Sequence, residues 1–224
     1  MRVRYVRTAA GGSYVASLSA EPCRRHDLRE IDSPTWNAGP GTRQLIIYPH
    51  GIVRGINWGY RPLWCVTQQF PQVITTRAEN VVYSPLLRAL WMSGRVIVPA
   101  DSWYEWIGTN SGVKQPYAIR PKTSGPLFFA GMSNLPPDNE ARDGDGFIVI
   151  TTGARSGVFD VHGPRPLVFA EDAAREWLDP ATSAEAVDDL ARNAAVPADA
   201  FEWFPVGPAV NKIGNDGAGL VKPI

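Results

Sequence analysis

Short β-branched or alternating apolar runs, punctuated by Gly, Pro and Asn, recur along the chain, a pattern of many short strands rather than long helices. Val96-Ile97-Val98 is a continuous apolar run and predicts a strand buried on both faces. Pro99 is expected to interrupt it. An extended continuation then sets Asp101, Trp103 and Glu105 on one face and Tyr104 and Trp106 on the other. Upstream, Arg2–Val6 alternates as an edge or barrel strand would, and 13–20 reads as a short helix with Tyr14, Val15 and Leu18 inward. Gln44–Tyr48 and Ile52–Trp58, joined through Pro49-His50-Gly51, read as a hairpin. Val73–Arg77 reads as a strand that places Thr75 and Arg77 on the same face. Ser84-Pro85 opens a helix, with an N-cap residue followed by proline at the first position, and Gly94 stops it. Its apolar stripe is Leu86, Leu87, Leu90 and Trp91. Strands follow at 115–120, 127–132, 147–152 and 167–169, helices at 171–178 and 184–193, and a closing strand at 201–206. The segments 35–42, 58–64 and 136–146 read as loops.

With 224 residues the chain is long enough to bury a sizeable core and is expected to form one domain, 1–224. Net charge is zero but unevenly spread: residues 1–120 carry 14 Lys or Arg against 7 Asp or Glu, residues 121–224 carry 8 against 15. An Arg-rich half suggests a phosphate-bearing partner, unless the two halves interleave and the asymmetry averages out over the surface. Cys23 and Cys65 are the whole thiol complement, with no CxxC, which speaks against a zinc site or disulfide framework and fits a reducing compartment. No apolar run has transmembrane length, and Arg2, Arg4 and Arg7 are not followed by a signal-type segment. A cytoplasmic, monomeric protein without cofactor, metal or membrane contact is expected.

Candidate chemistry centres on Glu105. Set among large aromatics, its carboxyl would be desolvated and hold a proton near neutral pH, as an acid–base group must; the alternative is a strand-end carboxylate pointing into water. In Asp160-Val161-His162-Gly163-Pro164-Arg165-Pro166, prolines on both sides of Arg165 stiffen the backbone and present His162 for proton transfer or for a structural hydrogen bond. His50 reads as a turn residue and His26 as part of a solvated, charged stretch. The aromatics of Trp58–Trp64 either stack on a base or pack as core.

These stretches together resemble, in order and from end to end, the SRAP family of SOS-response-associated peptidase domains, the abasic-site-crosslinking proteins. Trp36-Asn-Ala-Gly-Pro-Gly-Thr42, Trp58-Gly-Tyr-Arg-Pro62, Arg77-Ala-Glu79, Asp101-Ser-Trp-Tyr-Glu-Trp106, Val161-His162 with Arg165-Pro166, and 206–217 each match a family motif. The resemblance implies an α+β domain with a bifurcated, mainly antiparallel, partly barrel-like sheet, short flanking helices and a basic groove for single-stranded DNA, abasic strands included. In the family a Cys at position 2, exposed by loss of Met, forms a Schiff base and then a thiazolidine with the open-chain sugar, while a Glu and a His move protons, an Asn holds the intermediate and an Arg grips phosphate. Carried over by motif, Glu105 and His162 are catalytic, Thr75 stands where the family has Asn, and Arg2 where it has Cys. Arg77, Arg4 and Arg165 would contact phosphate, and Trp64 and Trp106 would contact DNA. Gly163-Pro164 replaces the family's Asp-Arg. The framework is kept and the thiol nucleophile is not. Three functions follow from this: a DNA-binding SRAP protein that forms no thiazolidine, an abasic-site lyase acting through the α-amine of Met1, or, setting the resemblance aside, a Trp-rich binding module.

Overall fold

The computed structural model describes the chain except residues 1–2, 20–21, 27–30, 63, 66–67, 69, 109–111 and 154–164. Two sheets are laid face to face. The larger has the order β12-β11-β10-β7-β4-β5-β2, from Arg165–Pro166, Phe147–Thr152, Leu127–Ser133, Arg95–Ala100, Arg43–Ile47, Ile52–Asn57 and Arg24–His26. Off that path β6 (Thr75–Arg77) joins β11 and β13 (Val168–Phe169) joins β10. The smaller has the order β14-β9-β8-β1-β3, from Phe201–Pro205, Lys114–Pro121, Ser102–Gly108, Arg4–Arg7 and Thr35–Ala38. Pairing is antiparallel except β6 with β11 and β2 with β5, and neither sheet closes into a barrel. This is the expected α+β, mainly antiparallel class.

Alternation sorts the apolar side chains into layers. Ile47, Ile97, Phe128 and Ile148 face one side of the large sheet, where they pack with α1 (Gly11–Leu18), α3 (Pro85–Ser93), α4 (Glu171–Leu178) and α5 (Ala184–Asn193). Their neighbours Ile46, Val96, Val98, Phe129 and Val149 face the other side and meet Tyr5, Trp103, Ile119 and Phe201 of the small sheet. Val6, Tyr104, Trp106 and Ala118, on the small sheet's far face, are covered by Val206 and Val210 from the C-terminal segment. Strands between two layers must be apolar at every position, which is why β7 and β10 are continuous apolar runs.

Three sequence expectations are corrected. Pro99 does not interrupt β7; it lies within the strand, opposite Phe128. Residues 35–38, read as loop, form β3, because Tyr5 pairs with Ala38 and extends the small sheet beyond β1. Arg24–His26, for which no element was expected, forms β2 alongside β5, with Arg24 exposed. Neither β2 nor β3 has the length or alternation that marks a strand; tertiary pairing makes them strands.

Candidate functional site

Glu105 is positioned by β8, a strand held on both sides: Tyr104 pairs with Arg4 of β1 and Glu105 with Tyr117 of β9. The predicted alternation holds. Trp103 faces the layer between the sheets, while Tyr104 and Trp106 face the C-terminal cover. Glu105 shares the Trp103 face at the rim of the inter-sheet layer and is half-buried. Burial pushes its carboxyl up to about 8, an effect partly offset by the Trp103 indole N–H. A carboxylic acid that stays protonated at neutral pH can donate a proton and take it back. One residue beyond the Arg4–Tyr104 pair come Val3 and Glu105, so the start of β1 leads to this carboxyl.

Aromatic contacts tie the other candidates to the same layer. The Trp58 ring lies 5.3 Å from Tyr5, and its Nε1 donates to the Ile74 carbonyl at 2.9 Å, anchoring β6 immediately before Thr75. Thr75, Thr76 and Arg77 then pair in parallel with Val149, Ile150 and Thr151. Arg77 is exposed at the strand's end, available to an anion. On the opposite edge of β11, Arg165 pairs with Thr152. Its guanidinium sits 5.8 Å over Phe201, which packs edge-on against Trp103 at 5.0 Å. Arg165 Nη2 donates to Val196 O at 2.8 Å, whereas its buried Nη1 has no hydrogen-bond partner among the described residues. Burial lowers its pKa.

Two assigned residues are mostly buried. Arg4 has its side chain packed where a Cβ on Gly39 would stand, with Nη1 donating to Val3 O at 2.8 Å. Trp106 donates from Nε1 to Asn211 Oδ1 at 2.6 Å. Both belong to the middle of the small sheet, where alternation fills both faces. Trp64 is 55 % exposed, its ring edge-on to an exposed Phe70 at 6.3 Å. Asp101, grouped with Glu105 by alternation, instead accepts hydrogen bonds from Thr8 N, Thr8 Oγ1 and Tyr14 OH. Met1, Arg2 and His162 lie outside the described residues. Among those described, no three His, Cys, Asp or Glu side chains gather as metal ligands, and no helix is long and apolar enough to cross a membrane.

Residues 1–213 match the family model for the SOS response associated peptidase, SRAP. The chain belongs to the SRAP family. It is 34 % identical to the abasic site processing protein YedK of Escherichia coli (strain K12), with 99 % of each chain covered. It is 30 % identical to the abasic site processing protein YoaM of Bacillus subtilis (strain 168), with 84 % of each covered. Among solved structures, a phage-related protein from Bordetella bronchiseptica superimposes with a TM-score of 0.75 at 33 % identity, covering 91 % of this chain and 93 % of that one. A Bacteroides thetaiotaomicron protein gives 0.78 at 20 % identity, covering 99 % of each, and shares the fold.

Within this SRAP domain, two functional neighbours of the site escaped the sequence reading. Trp103 was counted among the aromatics around Glu105, but not as the group whose N–H touches that carboxyl's pKa. Phe201, the platform under Arg165, lies 36 positions further along the chain. Trp103 and Glu105 are two positions apart on β8, so alternation already puts them on one face; Arg165 and Phe201 belong to different strands, and no local periodicity signals that contact.

Proposed function

We propose that this single SRAP domain processes abasic sites in single-stranded DNA without forming the thiazolidine crosslink. The observation that carries the reading is Glu105, a half-buried acid pushed up to about 8 beside the start of β1, where the family's amine nucleophile belongs. Similarity to the abasic site processing proteins YedK and YoaM supports the abasic-site assignment. Arg77, exposed at the end of β6, grips backbone phosphate, with Arg165 and the Trp64–Phe70 pair as further contacts to the strand.

Two positions before Arg4, where the family pattern has Cys, stands Arg2. A guanidinium cannot close a five-membered ring onto an imine carbon as a β-thiol does. Cys65 is buried and Cys23 half-buried, so neither replaces that thiol readily. The α-amine remains. Attack of Met1's neutral amine on the sugar aldehyde gives a carbinolamine; proton donation by Glu105 to its hydroxyl releases water and leaves an imine. That imine either hydrolyses or loses the 3′ phosphate by β-elimination, which is the lyase reading, and Glu105's retained proton favours it over simple binding.

Incubation with a single-stranded abasic oligonucleotide, followed by denaturing electrophoresis with and without borohydride, tests this. The expected result is strand scission and a borohydride-dependent adduct, with none surviving heat when borohydride is omitted. A heat-stable adduct without reductant would overturn the account of the missing thiol. No interaction with single strands at any salt would overturn the DNA assignment and favour a Trp-rich module of another kind.

A further inference from the structure

A cavity of about 430 Å³ opens at the C-terminal ends of β6 and β11, away from the Glu105 rim. Its walls come from the helix α2 (Ala78–Val81) with the two residues that follow, from α3, from α5, and from Thr152 and Gly153. Ala78, immediately after Arg77, is one of the lining residues, so the cavity begins where the exposed guanidinium ends its strand.

The lining is chemically distinctive. Tyr83 is 84 % exposed, more than any other large hydrophobic side chain among the described residues, and the neighbouring Val82 is 48 % exposed. An aromatic ring left this open at a cavity mouth gains nothing for folding and offers a stacking face. Asp188 is fixed at the back: its Oδ1 accepts from Trp91 Nε1 at 2.9 Å and its Oδ2 from Arg192 Nη2 at 3.2 Å. That pair holds Arg192 at the rim, with its side chain 67 % exposed. Glu79, on the α2 wall, is exposed and makes no hydrogen bond or ion pair with the described residues, so its carboxylate is open to accept. The site thus combines an aromatic face, an open carboxylate and the Arg192 guanidinium in a space large enough for a base with its sugar, with Arg77 the residue just before the lining begins.

We propose that this cavity is a nucleoside subsite that takes one base of the bound strand, stacked on Tyr83, with guanine favoured because its N1–H and N2–H together match the two oxygens of Glu79. The flanking phosphates fall to Arg77 and Arg192. Pyrimidines with an N4 amine satisfy half of that match, and thymine, which turns carbonyl oxygens toward the carboxylate, is disfavoured. A carboxylate in the cavity likewise repels a phosphate there, so base and phosphate are sorted to different parts of the surface. The proposal deepens the DNA-binding reading and rests on it.

The test is fluorescence anisotropy with 5′-labelled single-stranded oligothymidylates, each carrying one guanine, inosine, adenine or cytosine at a stepped position. Wild-type protein should bind best when guanine occupies one particular register, about five- to tenfold tighter than all-thymine, with inosine intermediate because it lacks N2. Glu79→Gln should reduce the guanine preference below twofold, by weakening the guanine-bearing strand and, with the carboxylate's repulsion of thymine carbonyls gone, by raising all-thymine affinity. Tyr83→Ala should weaken every oligonucleotide several-fold, and Tyr83→Phe should restore it. Equal affinity for all bases in every register, or a Tyr83→Ala protein that binds as wild type does, overturns the subsite. If those results come with strong, salt-dependent binding that Arg77→Ala reduces, the DNA reading stands and only the cavity's role fails; if no oligonucleotide binds, both fall.

Discussion

At the scale of single residues, Glu105 costs the fold something at neutral pH. Its folded pKa, pushed up to about 8, lies above the ordinary carboxyl value in an unfolded chain. Below about pH 4 both states are protonated and nothing is lost. Between there and pH 8 the unfolded chain gives up its proton while the folded one keeps it, so stability falls as pH rises. Glu105→Gln is therefore expected to stabilise the protein by roughly 1–3 kcal/mol at pH 8, allowing for incomplete burial, and by much less at pH 4.5. Urea melts at the two pH values decide it; an equal change at both would mean that Glu105 titrates normally. Arg77 makes a different prediction. As an exposed guanidinium on phosphate it should contribute one released counterion, so Arg77→Ala lowers the log K against log salt slope by about one and weakens all sequences alike. An unchanged slope would remove Arg77 from the phosphate path.

At the scale of elements, β3 and the C-terminal segment stabilise each other. Asn37 Nδ2 lies within hydrogen-bond distance of the carbonyls of Val210 at 3.3 Å, Lys212 at 3.1 Å and Asn215 at 3.0 Å. Val210 is completely buried over the far face of the small sheet. Trp106 joins the same clamp through Asn211. Asn37→Ala leaves buried carbonyls unpaired and should cost about 2–4 kcal/mol, with proteolysis accelerating first in the segment after 206. Wild-type cleavage kinetics in that segment would show that the clamp is dispensable. A second element-scale device is the close approach of 144–146 to the Trp58-Gly-Tyr-Arg stretch. A Cβ at Gly146 would stand 1.9 Å from Gly59 O, and Gly144 has φ +89°. Gly146→Ala must push backbone apart and is expected to destabilise by several kcal/mol, read as a fall in Tm.

At the scale of the whole molecule, the charge asymmetry along the sequence does not map onto two halves of the fold. β6 from the basic half pairs with β11 from the acidic one, and β9 with β14. The sequence-level alternative, interleaving, is what occurs, and Arg77 and Arg165 flank one strand as a result. The frame around Glu105 is expected to remain competent for the family's chemistry. Arg2→Cys, processed to expose its amine, should give an adduct with abasic single strands that survives boiling, and Glu105→Gln in that background should slow its formation about 10²–10⁴-fold. Failure of Arg2→Cys to crosslink, with DNA binding intact, would place the defect in the frame rather than in the lost thiol.

The alternation from Asp101 to Trp106, the hairpin at 43–57 and the helix opened by Ser84-Pro85 were legible in the sequence, because each is set by a local period or a local steric preference. For Glu105 the sequence left two readings open, a desolvated acid and a strand-end carboxylate in water, and burial in the fold favours the first. The ordered motifs carried the family. Burial of Arg4 and Trp106 was not legible: whether a strand residue meets solvent depends on what covers its face, and here that is a segment more than a hundred positions away. β2 and β3 are strands only because partners with free edges accept them. The cavity behind Tyr83 has walls from three helices and a strand end, joined only when the chain folds. Local preference set the longer strands and helices; packing of distant segments made the short edge strands, buried Glu105 and decided which side chains remain open to a ligand.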